Sequence, residues 1–157
     1  MKVREFDVQE TNKPYGEAII RLFGPDGKLK EERRARNLIT AAGLAFIASR
    51  MVGATPDVMS HMAVGTGTTA AAIGNTTLET ELARVALTSD DLVTTNQTND
   101  SVEYVATFAA GTGTGALTEA GILNAAAAGV LLNRLVFAVV NKGASDSITF
   151  TWKVVSS

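Results

Sequence analysis

The chain has no cysteine and a single histidine among its 157 residues. Disulfides and thiolate metal sites are therefore excluded, and imidazole groups cannot form a metal cluster. Aromatic residues are only 6% of the chain, which leaves few platforms for stacking on a ligand. Because so little catalytic chemistry is present, we expect residues chosen for packing and surface contact. We therefore expect that the protein is not an enzyme and that it has no catalytic residue, no bound metal and no cofactor.

Long apolar runs are also missing. The first ten residues, MKVREFDVQE, carry charges where a secretory signal needs an apolar core of about 7–15 residues. No stretch approaches the ~18 apolar residues of a membrane-spanning helix. The formal net charge of -2 disfavours a general affinity for nucleic acid or an anionic membrane. We therefore expect neither nucleic acid nor membrane as a partner, and a protein made and assembled in a cytoplasm.

Charge is unevenly distributed along the chain. Residues 1–37 hold nine Lys/Arg and seven Asp/Glu, whereas residues 38–157 hold the remaining five and nine. This shift divides the chain into a charged N-terminal arm and β-hairpin, 1–37, and a β-rich core domain, 38–157. A charge-poor surface is typical of a domain covered by copies of itself or by partners, since interfaces are depleted of charge at their centres. A surface of Ala, Thr and Gly kept soluble by hydroxyl groups explains the composition equally well.

The N-terminal segment has the pattern of a hairpin. Ala18, Ile20 and Leu22 fall on one face of an extended segment and Ile19, Arg21 and Phe23 on the other, and the turn sequence Gly-Pro-Asp-Gly at 24–27 follows. A charged second strand then runs to about residue 36. Because this strand is mostly polar, we expect one of its sides to face solvent or a partner.

One helix is predicted near residues 40–52. Thr40 is a good N-cap residue, and Gly53 stands where a helix C-terminal cap belongs. Leu44, Ile47, Ala48 and Met51 recur at helical spacing, and we expect this stripe to cover a sheet or a groove.

The remainder reads as short strands separated by turn residues. We expect Ile148, Phe150 and Trp152 on one face of the last strand, and a short helical turn at 77–82. The predicted strands lie near 60–65, 84–89, 102–109, 116–124, 130–141 and 147–155. The pattern predicts a mainly β fold, an antiparallel β-sandwich or barrel with one amphipathic helix and an N-terminal hairpin or arm.

Two glycine-rich stretches and the lone histidine invite functional interpretations. Residues 65–69 and 111–115 satisfy a loose dinucleotide-binding fingerprint, but neither leads into a helix, so we interpret both as turns. His61 lacks an evident nucleophile and orienting carboxylate in sequence, and we interpret it as a structural donor at a strand edge.

Two charged pairs stand among apolar residues: Glu81 with Arg84, and Glu119 with Arg134. Buried charges must find each other or bear a large desolvation cost, so we expect one shared structural ion-pair network. The alternative is a carboxylate pair for acid/base hydrolysis.

The order of several short phrases suggests a family. These phrases are Asn37–Leu44, Met62–Gly67, Leu78–Arg84, Leu117–Leu123 and Ser147–Trp152. Together they span most of residues 37–155 and resemble small virion structural proteins of tailed bacteriophages. The resemblance covers decoration or cement proteins and tail-fibre or tail-collar modules.

The resemblance implies a virion location, with assembly in the cytoplasm of a bacterial host. It favours a capsid decoration or cement protein that stabilises contacts between capsomers, acts as a homo-oligomer and binds the major capsid protein. Arg33, Arg34 and Arg36 are the candidate capsid-contact residues. A tail-fibre or baseplate attachment protein is the alternative within this class.

A carbohydrate-binding module is an alternative from another class. Trp152, Tyr104 and Tyr15 are its candidate stacking platforms. Since Trp152 and Tyr104 lie in predicted strands, core packing is their favoured role.

Overall fold

The structure, a computed structural model, describes residues 13–54 and 56–156. It contains two antiparallel sheets and one helix. The five-stranded sheet A has the order β2-β1-β9-β6-β5, and the four-stranded sheet B has the order β4-β3-β7-β8. The elements are β1 Tyr15–Phe23, β2 Leu29–Leu38, α1 Ala41–Met51, β3 His61–Gly65, β4 Glu81–Ala86, β5 Ser89–Val93, β6 Ser101–Phe108, β7 Gly115–Leu123, β8 Leu131–Lys142 and β9 Ser147–Val155.

The sheets pack as a sandwich around an apolar core. In sheet A, Ala18, Trp152 and Tyr104 lie in register across β1, β9 and β6, and all three are buried. In sheet B, Met62 of β3 pairs with Ile122 of β7, and both side chains are fully buried. The predicted mainly β class and the sandwich are confirmed. The barrel alternative is wrong, because the strands form two separate sheets and not a closed cylinder.

The N-terminal hairpin forms as predicted around residues 24–27. Ala18, Ile20 and Leu22 point into the core, because β1 lies between β2 and β9 and is paired on both sides. The shift in charge near residue 37 thus falls at the end of β2, inside sheet A. Residues 1–12 of the predicted arm lie outside the described residues.

Helix α1 begins after Thr40, whose hydroxyl oxygen accepts from the Gly43 N–H at 3.0 Å. The Thr40 hydroxyl also donates to the Leu131 carbonyl at 2.7 Å, which ties the cap to β8. A Cβ added at Gly43 would lie 2.1 Å from the Leu132 carbonyl oxygen, so only glycine lets the helix approach β8 this closely. The predicted cap is therefore confirmed, and contact with the sheet fixes the helix position.

The predicted apolar stripe of α1 is wrong in part. Ile47 is half-buried, but Leu44, Ala48 and Met51 are exposed, and Met51 retains 86% of its accessible surface. The close approach at Gly43 turns the helix so that Gly43, Phe46 and Ile47 face the sandwich. Met51 lies on the exposed side of the final turn.

Most predicted strands appear close to their predicted positions. The segment 84–89 differs, because the chain breaks at Leu87 and Thr88 into β4 and β5, which belong to different sheets. The short helical turn predicted at 77–82 is wrong. Residues 77–80 form a loop whose Glu79 and Thr80 N–H groups donate to the carboxylate of Glu119, and β4 begins at Glu81.

Candidate functional site: a charged sheet edge, a buried ion-pair network and an apolar groove

The three candidate contact arginines lie on β2, the edge strand of sheet A. Because side chains alternate along a strand, Arg34 and Arg36 share the outer face, whereas Arg33 points to the opposite side. Arg34 and Arg36 keep 67% and 70% of their side-chain surface exposed, compared with 38% for Arg33. Arg33 donates to the Val139 carbonyl of β8 at 3.5 Å. The structure thus brings together only two of the three predicted residues.

The outer face of sheet A carries a row of alternating charges. The row runs in register across all five strands: Arg36, Glu17, Lys153, Glu103 and Asp91. The charges alternate in sign over the first four strands, so cross-strand neighbours attract each other there, whereas Glu103 and Asp91 at the β5 end are both acidic. The arginine end of the row is therefore the basic edge of this face.

The ion pairs at this edge are solvated. Arg34 Nε lies 3.1 Å from Glu32, and Arg36 Nη2 lies 3.9 Å from Glu17. Hydrogen bonds from Arg21 and Arg34 hold the pKa of Glu32 below its usual value. Exposed pairs of this kind contribute only about 0–1 kcal/mol to stability, so a partner's carboxylates can replace them at little cost.

The buried ion pair lies on the outer face of sheet B. Arg134 Nε of β8 donates to Glu119 Oε2 of β7 at 2.8 Å, and both side chains are almost completely buried. Arg134 also reaches Glu79 at 3.4 Å and the side-chain oxygen of Asn75 at 3.2 Å. The loop of residues 66–80 covers this pair and supplies both additional partners.

The Glu119 carboxylate organises that loop. Oε1 accepts from the N–H groups of Gly67 and Thr80 at 3.0 and 2.7 Å, and Oε2 accepts from the N–H of Glu79 at 2.9 Å. Burial alone would raise the pKa of Glu119, but these bonds and the Arg134 guanidinium together lower it. Since the carboxylate is ionised and fully coordinated by the protein, it acts as a structural anion that closes the 66–80 loop on sheet B.

The second predicted pair is separate from the first. Arg84 forms two bonds with Glu81, at 2.9 and 2.7 Å, and its remaining nitrogen donates to the carbonyls of Ala125 and Ala128. Among the described contacts none joins Glu81 or Arg84 to Glu119 or Arg134, so the expected single network is wrong in that respect. Glu79 was not identified from the sequence. Hydrogen bonds from the N–H and the hydroxyl of Thr69 lower the pKa of its carboxyl group.

An apolar groove of about 420 Å³ opens at one end of the sandwich, between α1 and the β5–β6 side of sheet A. We call it the apolar groove. It is lined by Phe46, Ile47, Val58, Met59, Val102 and Leu132. Leu92 and Val58 at its rim are 66% and 55% exposed. Apolar surface of this kind is typical of a contact site.

The β5 side of the groove is acidic. Asp90, Asp91 and Asp100 line it, whereas Arg50 stands at the helix side and donates to the Pro56 carbonyl. Burial, together with the nearby Asp90 charge, raises the pKa of Tyr104 to about 12. The Tyr104 hydroxyl is thus neutral at physiological pH and offers no base. The groove thus has an apolar floor with acidic residues along one side, an arrangement suited to binding.

The structure also places His61 and the two glycine-rich stretches that the sequence analysis considered. His61 opens β3, and its Nδ1 lies 2.8 Å from the Ser60 hydroxyl. The glycines at 65–67 and 111–113 lie at the end of β3 and in the turn after β6, and neither stretch leads into a helix. The interpretation of these glycines as turns is consistent with their positions.

The candidate stacking aromatics do not form a platform. Trp152 is fully buried and donates to the Asn37 side-chain oxygen at 3.2 Å, and Tyr104 retains only 9% of its surface. Tyr15 is covered by Arg36, whose guanidinium carbon lies 4.9 Å from the ring centroid. Trp152 and Tyr104 thus have the core-packing role that the sequence favours for them.

Within residues 13–54 and 56–156, no group of three or more His, Asp or Glu side chains is arranged to hold a metal ion. Over the same ranges, no helix has the length and apolarity needed to cross a membrane. No protein-family model, curated protein or solved structure matches the chain.

Proposed function

We propose that the chain is a bacteriophage virion structural protein, a capsid decoration or cement protein that binds neighbouring subunits through the basic edge of sheet A. Its partners are the major capsid protein and further copies of itself, and its role is mechanical and not catalytic. The observation that carries this proposal is the exposed pair Arg34 and Arg36, presented on the rigid edge strand β2.

The physics of this edge supports a contact role. The carboxylate partners of both arginines are solvated, so their guanidinium groups can pair with acidic groups on another subunit without leaving a buried charge. Guanidinium groups suit such contacts because their planar donors match carboxylates in pairs. Arg33, which faces β8, takes the internal position.

Three of the five phrases that carry the phage resemblance also meet in space. Gly67, Glu79 with Thr80, and Glu119 come from three of those phrases and form one hydrogen-bonded unit. Their order along the chain thus corresponds to one structural device, the loop closed by Glu119, which supports treating the phrases together.

Such a protein stabilises a shell because many copies bind to it, each through weak contacts. Binding to the assembled state and not to the separated subunits stabilises assembly by an amount that grows with the logarithm of the free protein concentration relative to its Kd. Symmetric association of several copies extends each seam. Local opening then requires several contacts to break at once.

Cosedimentation with capsids assembled from the capsid protein of the same phage tests the proposal. We expect the wild-type chain to bind in a fixed number of copies per particle, and Arg34→Ala/Arg36→Ala to bind about tenfold more weakly, which corresponds to about 1.4 kcal/mol. The charge-matched control is Lys13→Ala/Lys28→Ala, which removes two exposed cations elsewhere. It should bind as the wild type does.

The decoration function and the role of the basic edge can be rejected independently of each other. A wild-type chain that does not cosediment with capsids would reject the decoration function. Full binding by the double arginine variant would reject the role of this edge while leaving the function standing. Stability in urea should fall by no more than about 1 kcal/mol in either variant, because the removed ion pairs are solvated and the contact of Arg36 with Tyr15 lies at the exposed edge.

A further inference from the structure

We propose that the apolar groove is the contact surface of a two-fold symmetric dimer, in which Asp90 and Leu92 of each copy lie against helix α1 and Arg50 of the other copy. The inference rests on the proposed function only for the expectation that copies associate, and it names the surface through which they do so. This surface is distinct from the basic edge of sheet A. The test uses the isolated chain without capsids, so its failure and the failure of the decoration function are distinguishable.

The inner face of sheet A is partly uncovered at its β5 edge. On β5, Asp90 pairs with Tyr104 and Leu92 pairs with Val102. Because Tyr104 is buried in the core and side chains alternate along a strand, Asp90 and Leu92 are both on the inner face. Leu92 is nevertheless 66% exposed and lines the groove. An apolar side chain on the core side of a sheet, with most of its surface in water, is typical of a contact site.

The two walls of the groove carry opposite charges. Arg50 lines the α1 wall, and Asp90 lines the β5 wall. Arg50 donates to the Pro56 carbonyl at 2.7 Å and lies over the Phe46 ring, and neither Arg50 nor Asp90 forms an ion pair within the part of the chain that the structure describes. The Arg50 guanidinium is thus held at the groove with N–H donors left for a carboxylate.

The other two carboxylates at the groove do not carry the proposal. Asp91 belongs to the outer face of β5, opposite to Asp90. Asp100 accepts hydrogen bonds from the N–H groups of residues 95–97 and so closes its own loop. Asp90 is therefore the carboxylate that stands beside the apolar floor.

A second copy of the chain fits these two walls. When two copies meet about a two-fold axis that runs along the groove, the α1 wall of each copy faces the β5 wall of the other. Each Arg50 then meets Asp90 of the partner copy, and each Leu92 packs against the partner's helix. Both contacts form twice, and the opposite charges fix the register of the two copies.

Charge-reversed variants test the pairing. Arg50→Glu gives a copy with two acidic walls, and Asp90→Arg gives a copy with two basic walls. Like charges then face each other in each homodimer, so both variants should sediment as the 16.4 kDa monomer at concentrations where the wild type is dimeric. In an equimolar mixture every reversed charge meets an opposite one, so a heterodimer should form with about the affinity of the wild type.

Leu92→Lys tests the apolar contact. Symmetry presents the substitution twice, so we expect the dissociation constant of the dimer to rise by about a hundredfold, about tenfold for each leucine. The matched control is Leu29→Lys, at a residue that is 52% exposed on β2 at the opposite edge of sheet A. Its dissociation constant should equal that of the wild type. Because Leu92 is exposed in the single chain, this variant tests the proposal even if Arg50→Glu disturbs the helix end.

Analytical ultracentrifugation of the full chain measures all these outcomes. A wild-type chain that stays monomeric at about 100 µM would overturn the proposal, whatever else then occupies the groove. So would dimers of wild-type strength in both charge variants, a mixture that associates no better than either variant alone, or equal effects of Leu92→Lys and Leu29→Lys. A heterodimer formed only on mixing supports the proposal, since misfolded chains would not recover association in this way.

Discussion

Replacing Glu119 with glutamine keeps the shape of the side chain but removes its charge and one acceptor. The Glu119 carboxylate now accepts four bonds, from the N–H groups of Gly67, Glu79 and Thr80 and from Arg134 Nε. The amide nitrogen of glutamine is a donor, so on either oxygen position it would face two of these donors. Arg134, only 2% exposed, would keep Glu79, at the longer distance of 3.4 Å, as its one charged partner beside the neutral side-chain oxygen of Asn75.

The expected loss is large for a single substitution. Breaking a buried ion pair by removing one partner costs about 3–5 kcal/mol, because the other charge is left buried without compensation. A domain is stable by only about 5–15 kcal/mol. With a urea dependence of about 2 kcal/mol per molar, the midpoint of unfolding should fall by about 2 M.

The matched control is Glu81→Gln at the partly exposed pair with Arg84, whose guanidinium keeps its bonds to the Ala125 and Ala128 carbonyls. The Glu81 side chain is 33% exposed, so its loss should cost about 0–1 kcal/mol. Urea unfolding of the wild type and both variants at pH 7 measures the difference. If the two variants have midpoints within the error of each other, the structural role assigned to Glu119 is refuted.

The same comparison has a defined pH dependence. Because the pKa of Glu119 is lower in the folded protein than in the unfolded chain, its ionisation stabilises the fold fully above the unfolded pKa, about 4.3. That stabilisation disappears as the pH falls through the folded pKa. The gap between the wild type and Glu119→Gln should therefore be widest near pH 7 and shrink below about pH 4. A gap that widens on acidification would contradict this assignment.

Two further predictions concern the helix, and both are measured by urea unfolding. Thr40→Ala should destabilise the protein by about 1–2 kcal/mol, since the hydroxyl accepts from Gly43 and donates to Leu131; a loss under about 0.5 kcal/mol would contradict the cap. Gly43→Ala improves helix propensity by about 1 kcal/mol, yet its new Cβ would lie 2.1 Å from the Leu132 carbonyl, so we expect a net destabilisation of about 1–3 kcal/mol. A stabilised Gly43→Ala variant would mean that α1 does not pack on β8.

Local patterns in the sequence predicted the parts of the fold that local rules determine. The alternation of Ile148, Phe150 and Trp152 identified the core face of β9, because a strand turns successive side chains to opposite sides. Thr40 identified the helix start, since capping involves residues only three apart.

The incorrect predictions involve contacts between distant segments. The helical periodicity of Leu44 and Met51 predicted a buried stripe, but the approach of Gly43 to Leu132 sets which face is covered. Residues 77–82 were predicted as a helical turn, because nothing in the local sequence shows that the distant Glu119 carboxylate accepts hydrogen bonds from the Glu79 and Thr80 N–H groups.

The candidate sites were predicted unevenly for the same reason. Glu119 and Arg134 were recognisable as charges within apolar strands. Glu79 lies in a polar stretch, where a carboxylate is expected at the surface and does not indicate a buried ion pair. The apolar groove collects residues from α1, the loop before β3, β5, β6, β8 and β9, so no single segment carries its pattern. The split of the arginines between two faces follows from strand parity once β2 is known to extend through residue 36.

The most direct test of the proposed function is an electron cryomicroscopy reconstruction of the virion that contains this chain. The account predicts density for the two-sheet sandwich repeated over the capsid lattice, with the β2 edge and its Arg34 and Arg36 side chains against acidic groups of adjacent subunits. Density confined to the tail, or virions that lack the chain, would contradict it.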